Sequence, residues 1–129
     1  MEITSNALQT IQSNQNVLFT ETPVSGNCSI MHREGSGLVS IRGLTQQQSR
    51  ARFRVTFGAN IAVPTGETAG PISLAIAING EPIPATTMIV TPTAVEAFFN
   101  VASSIFLDVP AGCCSSISVQ NTSTIPIEA

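Results

Sequence analysis

The 129-residue chain offers few residues that could do chemistry. His32 is its only histidine and Asp108 its only aspartate, so a nucleophile–base–acid relay could be drawn only through these two and one of the serines. Mutual geometry, not inventory, defines such a relay. The Gly-x-Ser-x-Gly turn that presents a nucleophilic serine is absent, because Glu34-Gly35-Ser36-Gly37-Leu38 does not fit it. His32 is therefore expected to be a structural or surface residue, and the chain is not expected to be an enzyme.

Cys28, Cys113 and Cys114 do not make an even disulfide framework. Adjacent cysteines rarely bond each other, because disulfide geometry strains the backbone between them. Three reduced, mostly buried thiols are expected; a bond from Cys28 to Cys113 or Cys114, or a link between subunits, are the alternatives. There is no Cys-x-x-Cys pair, and one histidine does not complete a usual zinc set. No metal and no cofactor is expected. Asn27-Cys28-Ser29 and Asn121-Thr122-Ser123 match the Asn-x-Ser/Thr pattern, which is short enough to arise by chance.

Arg50, Arg52 and Arg54 share one face of a strand. Charge placed there discourages unwanted edge pairing. Alternatively, these arginines could meet Glu67, Glu96 or Asp108 across a subunit boundary in bidentate contacts. Three charges make a small footprint for phosphate. With a net charge of −3 there is no broad basic surface, so nucleic acid is not an expected partner.

The elements that would position these residues read as strands. In Gly70-Pro71-Ile72-Ser73-Leu74-Ala75-Ile76-Ala77-Ile78-Asn79-Gly80, Ile72, Leu74, Ile76 and Ile78 alternate with Ser73, Ala75, Ala77 and Asn79. Period two predicts a strand, and Asn79-Gly80 supplies the left-handed pair a tight turn needs. The second face carries small side chains, so a neighbouring strand or subunit is expected close against Ser73, Ala75 and Ala77. Arg52 to Val63 alternates with Phe53, Val55, Phe57, Ala59, Ile61 and Val63 on one face. Val95 to Val109 puts Val95, Ala97, Phe99, Val101, Ile105, Leu107 and Val109 on one parity, with a bend or bulge expected at Ser103-Ser104. Shorter strands are expected at 17–19, 28–33, 38–42, 86–91 and 115–120, and a short edge strand at Ile125-Pro126-Ile127, where proline is tolerated. Phe98, Phe99 and Phe106 read as core and interface packing. Seven to nine strands, with eight prolines and nine glycines as punctuation, predict an antiparallel sandwich or jelly roll.

Residues 1–15 are rich in Ser, Asn, Gln and Thr, so the predicted organisation is a polar N-terminal arm (1–15) and one β domain (16–129). Ile3, Ala7, Leu8 and Ile11 fall at spacings a short helix could use, although isolated helices this short are marginal in water. Ile3, Leu8 and Ile11 are the candidate contacts of an arm that orders on a neighbouring subunit or a larger particle. No apolar run reaches the ~18 residues of a membrane-spanning helix, so membrane insertion is not expected. Met1-Glu2-Ile3-Thr4-Ser5-Asn6 has neither a positive nor an apolar leader region, so no signal peptide is expected. Charged residues make up 10% of the chain against about 25% in an average domain, which predicts a surface largely covered by other subunits.

Three segments together resemble the C1q/TNF-like jelly-roll superfamily, nearest to the BclA C-terminal-domain-like trimeric heads of bacteria and similar phage-encoded proteins. They are Phe53-Arg54-Val55-Thr56-Phe57, then Ile76-Ala77-Ile78-Asn79-Gly80-Glu81-Pro82-Ile83-Pro84, and Val109-Pro110-Ala111-Gly112 leading into Ile117-Ser118-Val119-Gln120-Asn121. The resemblance covers about half of the chain. It implies an all-β, antiparallel jelly-roll sandwich that forms a non-enzymatic homotrimer around a threefold axis. Ser73, Ala75, Ala77, Arg52 and Arg54 are then the candidate trimer-interface residues. The family ends in a long apolar strand, whereas this sequence closes on Ile125-Pro126-Ile127-Glu128-Ala129; a neighbour supplying that strand is one expectation. The lack of a collagen-like stalk favours a small protein docked directly on a particle. The expected role is a decoration or head-fibre-like protein of a bacteriophage capsid, located on the virion surface. The alternative is a trimeric adhesion or glycan-recognition head on a bacterial cell, spore or phage fibre.

Overall fold

Ile72–Ile78, the most regular alternation in the sequence, forms the central strand of the largest sheet. The structure is a computed structural model that describes residues 2–5, 7–24, 30–42, 50–110 and 114–129. Cys28, Cys113, the Asn27 sequon and the 46–49 loop lie outside the described residues.

The described residues hold twelve strands: β1 (Glu2–Thr4), β2 (Thr10–Ile11), β3 (Glu21–Val24), β4 (Ile30–His32), β5 (Val39–Arg42), β6 (Arg50–Ile61), β7 (Ile72–Ile78), β8 (Glu81–Pro82), β9 (Met88–Val90), β10 (Phe99–Pro110), β11 (Cys114–Asn121) and β12 (Ile127–Glu128). A single 3-10 turn, Pro84–Thr86, lies between β8 and β9. The six-stranded sheet runs β4-β5-β11-β7-β8, with β9 also paired to β7. All strand pairs are antiparallel.

Facing that sheet is a ribbon of β6 and β10. Its register holds without a shift from Phe99↔Ile61 to Pro110↔Arg50. Ser103 and Ser104 sit inside this ladder opposite Phe57 and Thr56, so the expected break there does not occur. Serine leaves the backbone free to pair, and the alternation on either side stays in phase across it. β12 pairs with β2, and Ala62 and Glu128 exchange both backbone hydrogen bonds (2.8 and 2.9 Å), which ties the β2–β12 pair to the end of β6. The predicted edge strand at 125–127 is therefore an inner strand over Ile127–Glu128, with neighbours on both sides.

The apolar faces of these layers meet in one core. Phe57, Ile61, Val101 and Val109 come from the ribbon, Ile41, Leu74, Ile76, Ile117 and Val119 from the large sheet, and Ile11 and Ile127 from the closing pair. Ile61, Ile72, Leu74, Ile76 and Ile127 have essentially no exposed surface. Burying each is worth about 2 kcal/mol, which makes this core the main stabilising term.

Local chemistry shapes the turns. Asn79 (φ 54°) and Gly80 (φ 85°) both adopt the left-handed region, the geometry of a two-residue hairpin between β7 and β8. The Asn79 side-chain oxygen also accepts from Ser116 N–H at 3.0 Å, fastening the turn to β11. Where the 3-10 turn interrupts the edge beside β7, Thr86 Oγ1 accepts from Ile76 N–H (2.9 Å) and donates to the Ile83 carbonyl (2.7 Å). The hydroxyl thus stands in for a missing rung of the ladder.

The N-terminal residues depart from the predicted arm. β1 pairs with β3, β2 pairs with β12, and Ile11 is a core residue. The helical spacing of Ile3, Ala7, Leu8 and Ile11 is not used, because backbone partners more than a hundred residues away in sequence take up the donors and acceptors of residues 9–11. β1 and β2 are thus paired with strands of the β domain.

Candidate functional site

The β6–β10 ribbon buries one face and presents the other. Alternation turns Phe53, Val55, Phe57, Ala59 and Ile61 inward, with Val101, Ile105, Leu107 and Val109 opposite. The outward cross-strand pairs are Arg52–Asp108, Arg54–Phe106, Thr56–Ser104, Gly58–Ala102 and Asn60–Asn100. These ten residues make a graded strip: an ion pair at one end, an exposed aromatic ring beside it, small uncharged residues in the middle, and an amide pair at the far end.

Each rung has its own physical basis. Arg52 grips Asp108 in a two-pronged contact, Nε to Oδ1 at 2.8 Å and Nη2 to Oδ2 at 3.3 Å. That hydrogen bond, and then the carboxylate's charge, hold the guanidinium pKa above its ordinary value. The pair is open to solvent, so it orients the end of the strip more than it stabilises the fold. Asn100 Nδ2 donates to Asn60 Oδ1 at 3.2 Å. Between these ends, Gly58 and Ala102 project almost nothing, which leaves a flat uncharged step. Phe106 is 67% exposed on this same face, a large cost for an aromatic ring facing water. The expected core packing of Phe106 does not occur: its even parity, between inward Ile105 and Leu107, turns it outward.

The remaining predicted interface residues are placed elsewhere. Ala75 and Ala77 have no exposed surface in a single chain, so their small size answers to close cover within the chain and not to a neighbouring subunit. Ser73 is half-buried, with its hydroxyl 2.6 Å from Thr122 Oγ1. Arg52 and Arg54 are both exposed on the strip. Of the predicted docking contacts, Ile11 is buried, Ile3 is half-buried and lines a cavity together with Phe53, Val55 and Phe57 of β6, and Leu8 is exposed.

His32 is held locally. Its Nε2 donates to the Ser36 carbonyl at 3.0 Å, which leaves Nδ1 to accept from Thr22 Oγ1 at 3.1 Å, and Phe19 meets the ring edge-on at 6.3 Å. Asp108 engages Arg52 instead. Sequence reading missed a second polar cluster. Glu96 accepts from Thr65 N–H (3.1 Å) and Thr65 Oγ1 (2.8 Å) and shares a hydrogen bond with Glu128. The Thr65 hydroxyl lowers the Glu96 pKa, whereas the bond to Glu96 raises that of Glu128. No group of three or more metal-ligating side chains occurs among the described residues. Asn121 is a third missed residue, fully buried and bonded at both ends of its carboxamide.

Comparison of the chain with protein-family models found no matching family, and comparison with curated proteins found no relative.

Proposed function

We propose that this chain is a non-enzymatic structural protein, a jelly roll that assembles as a homotrimer through the outward strip of β6 and β10 and decorates the surface of a larger particle such as a bacteriophage capsid. The observation that carries the trimer is the strip itself. A solvent-facing sheet surface ordinarily carries alternating charged residues. Here charge is confined to one end, an exposed phenylalanine adjoins small flat residues, and the whole chain is only 10% charged. Exposed apolar patches of this kind mark association surfaces. A neighbouring copy covering Phe106 would remove that cost, and the Arg52–Asp108 and Asn60–Asn100 pairs would rim the contact with groups already oriented to bond across it.

The pairing scheme supports the jelly-roll reading. β2 pairs with β12, β5 with β11, β6 with β10 and β7 with β9. First pairs with last, second with seventh, third with sixth and fourth with fifth, which is the pattern of one long antiparallel hairpin rolled into two sheets. The segments that resemble the C1q/TNF-like superfamily fall on β6, β7–β8 and β11, in keeping with that scheme.

Native mass spectrometry of the intact chain at micromolar concentration tests the proposal. A species of three times 13.5 kDa is expected. A monomer at all concentrations up to ~100 µM would refute the trimer.

A further inference from the structure

Among the asparagines of this sequence only Asn79 is followed by glycine. Such a pair is reactive. No side chain on Gly80 shields its backbone nitrogen, and closing a five-membered ring brings that nitrogen onto Cγ of the Asn79 carboxamide. The reaction needs only water and a solvent base. The Gly80 N–H gives up its proton, its nitrogen bonds to Cγ, and the Cγ–Nδ2 bond breaks as Nδ2 takes a proton and leaves as ammonia. Water then opens the cyclic imide. Cleavage of the new N–Cγ bond yields aspartate; cleavage of the original peptide bond yields isoaspartate, with the backbone rerouted through Cβ and Cγ.

The folded turn opposes this chemistry. The φ values of 54° at Asn79 and 85° at Gly80 are those of a type I′ turn. In that turn ψ of the first residue is about +30°, which puts the Gly80 nitrogen roughly 150° from Cβ about the Cα–C bond. Ring closure needs the two eclipsed. The side chain is held as well. Its Oδ1 accepts from Ser116 N–H at 3.0 Å while Asn79 N–H donates to the Ser116 carbonyl at 2.8 Å, so the carboxamide is turned toward β11. The turn must open before the ring can close.

Opening is within reach. Asn79, Gly80 and Glu81 are exposed, and β8 is only two residues long. A short, exposed pairing opens at a fraction of the cost of global unfolding.

We infer that Asn79 is a deamidation site gated by the β7–β8 turn. The closed turn preserves the asparagine, and each opening exposes it to conversion. The two products then differ. Isoaspartate puts one more atom into the backbone between Ile78 and Gly80, so the Ile78↔Glu81 and Ala77↔Pro82 rungs lose the turn that sets their register. Aspartate keeps the backbone and a carboxylate that accepts from Ser116 N–H. Either product adds one negative charge to a chain of net charge −3. The site is thus an irreversible marker of turn opening, and it does not depend on how the chain assembles.

The test compares the folded chain with the same chain in concentrated urea, both at the same mildly alkaline pH, with conversion read residue by residue by peptide-mapping mass spectrometry. In urea, Asn79 should be the first asparagine converted. In the folded chain its conversion should be at least about tenfold slower. Equal rates in the two states would overturn the gating, and an unfolded chain in which another asparagine converts first would overturn the site. Amide exchange by NMR then reads the products. The isoaspartate chain, separated by chromatography and refolded, should lose at least about tenfold of the protection at Ser116 and Ile83, whereas Asn79→Asp should keep it. Equal protection in the two would overturn the claim that isoaspartate undoes the turn.

Discussion

Replacing Asn121 by alanine should be among the most damaging single changes in this chain. The side chain has no exposure and no spare bonding capacity. Its Nδ2 donates to the carbonyls of Ile11 (2.9 Å) and Ile125 (3.1 Å), and its Oδ1 accepts from the Ser123 N–H (2.9 Å) and the Ser123 hydroxyl. It thereby ties the end of β11 to β2 and to the turn that leads into β12. Alanine leaves the Ile11 carbonyl and the Ser123 amide without these partners; the Ile125 carbonyl keeps a bond from Ser123 Oγ at 3.0 Å. The Ser123 amide, orphaned at about 1–3 kcal/mol, and the bond lost at the Ile11 carbonyl, which keeps its place opposite Ile127 in the β2–β12 ladder and costs about 1 kcal/mol, sum to a loss of about 2–4 kcal/mol. Against a total of about 5–15 kcal/mol for a domain, that is a large share. Urea unfolding followed by circular dichroism measures it as a drop in midpoint at unchanged slope. Asn121→Asp separates bonding from size, since it keeps the acceptors for Ser123 while losing both donors and adding a buried charge. It should cost more at pH 7 than at pH 4. A loss under ~1 kcal/mol for alanine would refute the reasoning, because water entry or relaxation would then be satisfying the freed groups.

Two further outcomes follow from the same structure. Thr86→Val keeps the shape but removes the hydroxyl that serves Ile76 and Ile83, and should cost about 1–3 kcal/mol in the same unfolding assay, whereas Thr86→Ser should cost less. For the Glu96–Glu128 pair the signs oppose. The raised Glu128 pKa gives stability present at low pH and lost as pH rises through it, while the lowered Glu96 pKa gives stability present above the ordinary glutamate value and lost as pH falls through it. The pair therefore favours the fold most between the two, and Glu96→Gln should bring the Glu128 titration, read by carboxyl NMR, down toward its ordinary range. A Glu128 titration unmoved by that change would show that Glu96 is not what raises it.

Regular alternation was the part of the fold legible in the sequence. β7, β6 and the Asn79-Gly80 turn follow from period two and from a residue pair that tolerates positive φ. β1 and β2 did not follow, and β12 followed only as an edge strand, because strands of two or three residues carry no period. They exist only through partners far away in sequence, such as Ile11 against Ile127. The spacing of Ile3, Ala7, Leu8 and Ile11 pointed to a helix that tertiary pairing overrides. Ala75 and Ala77 show a related limit: small size signals close approach but does not say whether the neighbour is the same chain or another. For the candidate site, the shared face of Arg52 and Arg54 was readable, whereas the outward turn of Phe106 and the pairing that brings Arg52 to Asp108 and Asn60 to Asn100 required the β6–β10 register. Asn121 stood out in the sequence only through the Asn-x-Ser/Thr pattern, which says nothing of its structural role, since that role depends on three carbonyl and amide groups converging from separate elements.

Sedimentation equilibrium of the chain and of Phe106→Glu at micromolar concentration is the most direct test of assembly through the ribbon face. Phe106 points outward and leaves the core untouched, so the variant should fold with unchanged circular dichroism. The account predicts a trimer for the parent chain and a monomer for the variant. A parent monomer, or a trimer that survives Phe106→Glu undiminished, would contradict it.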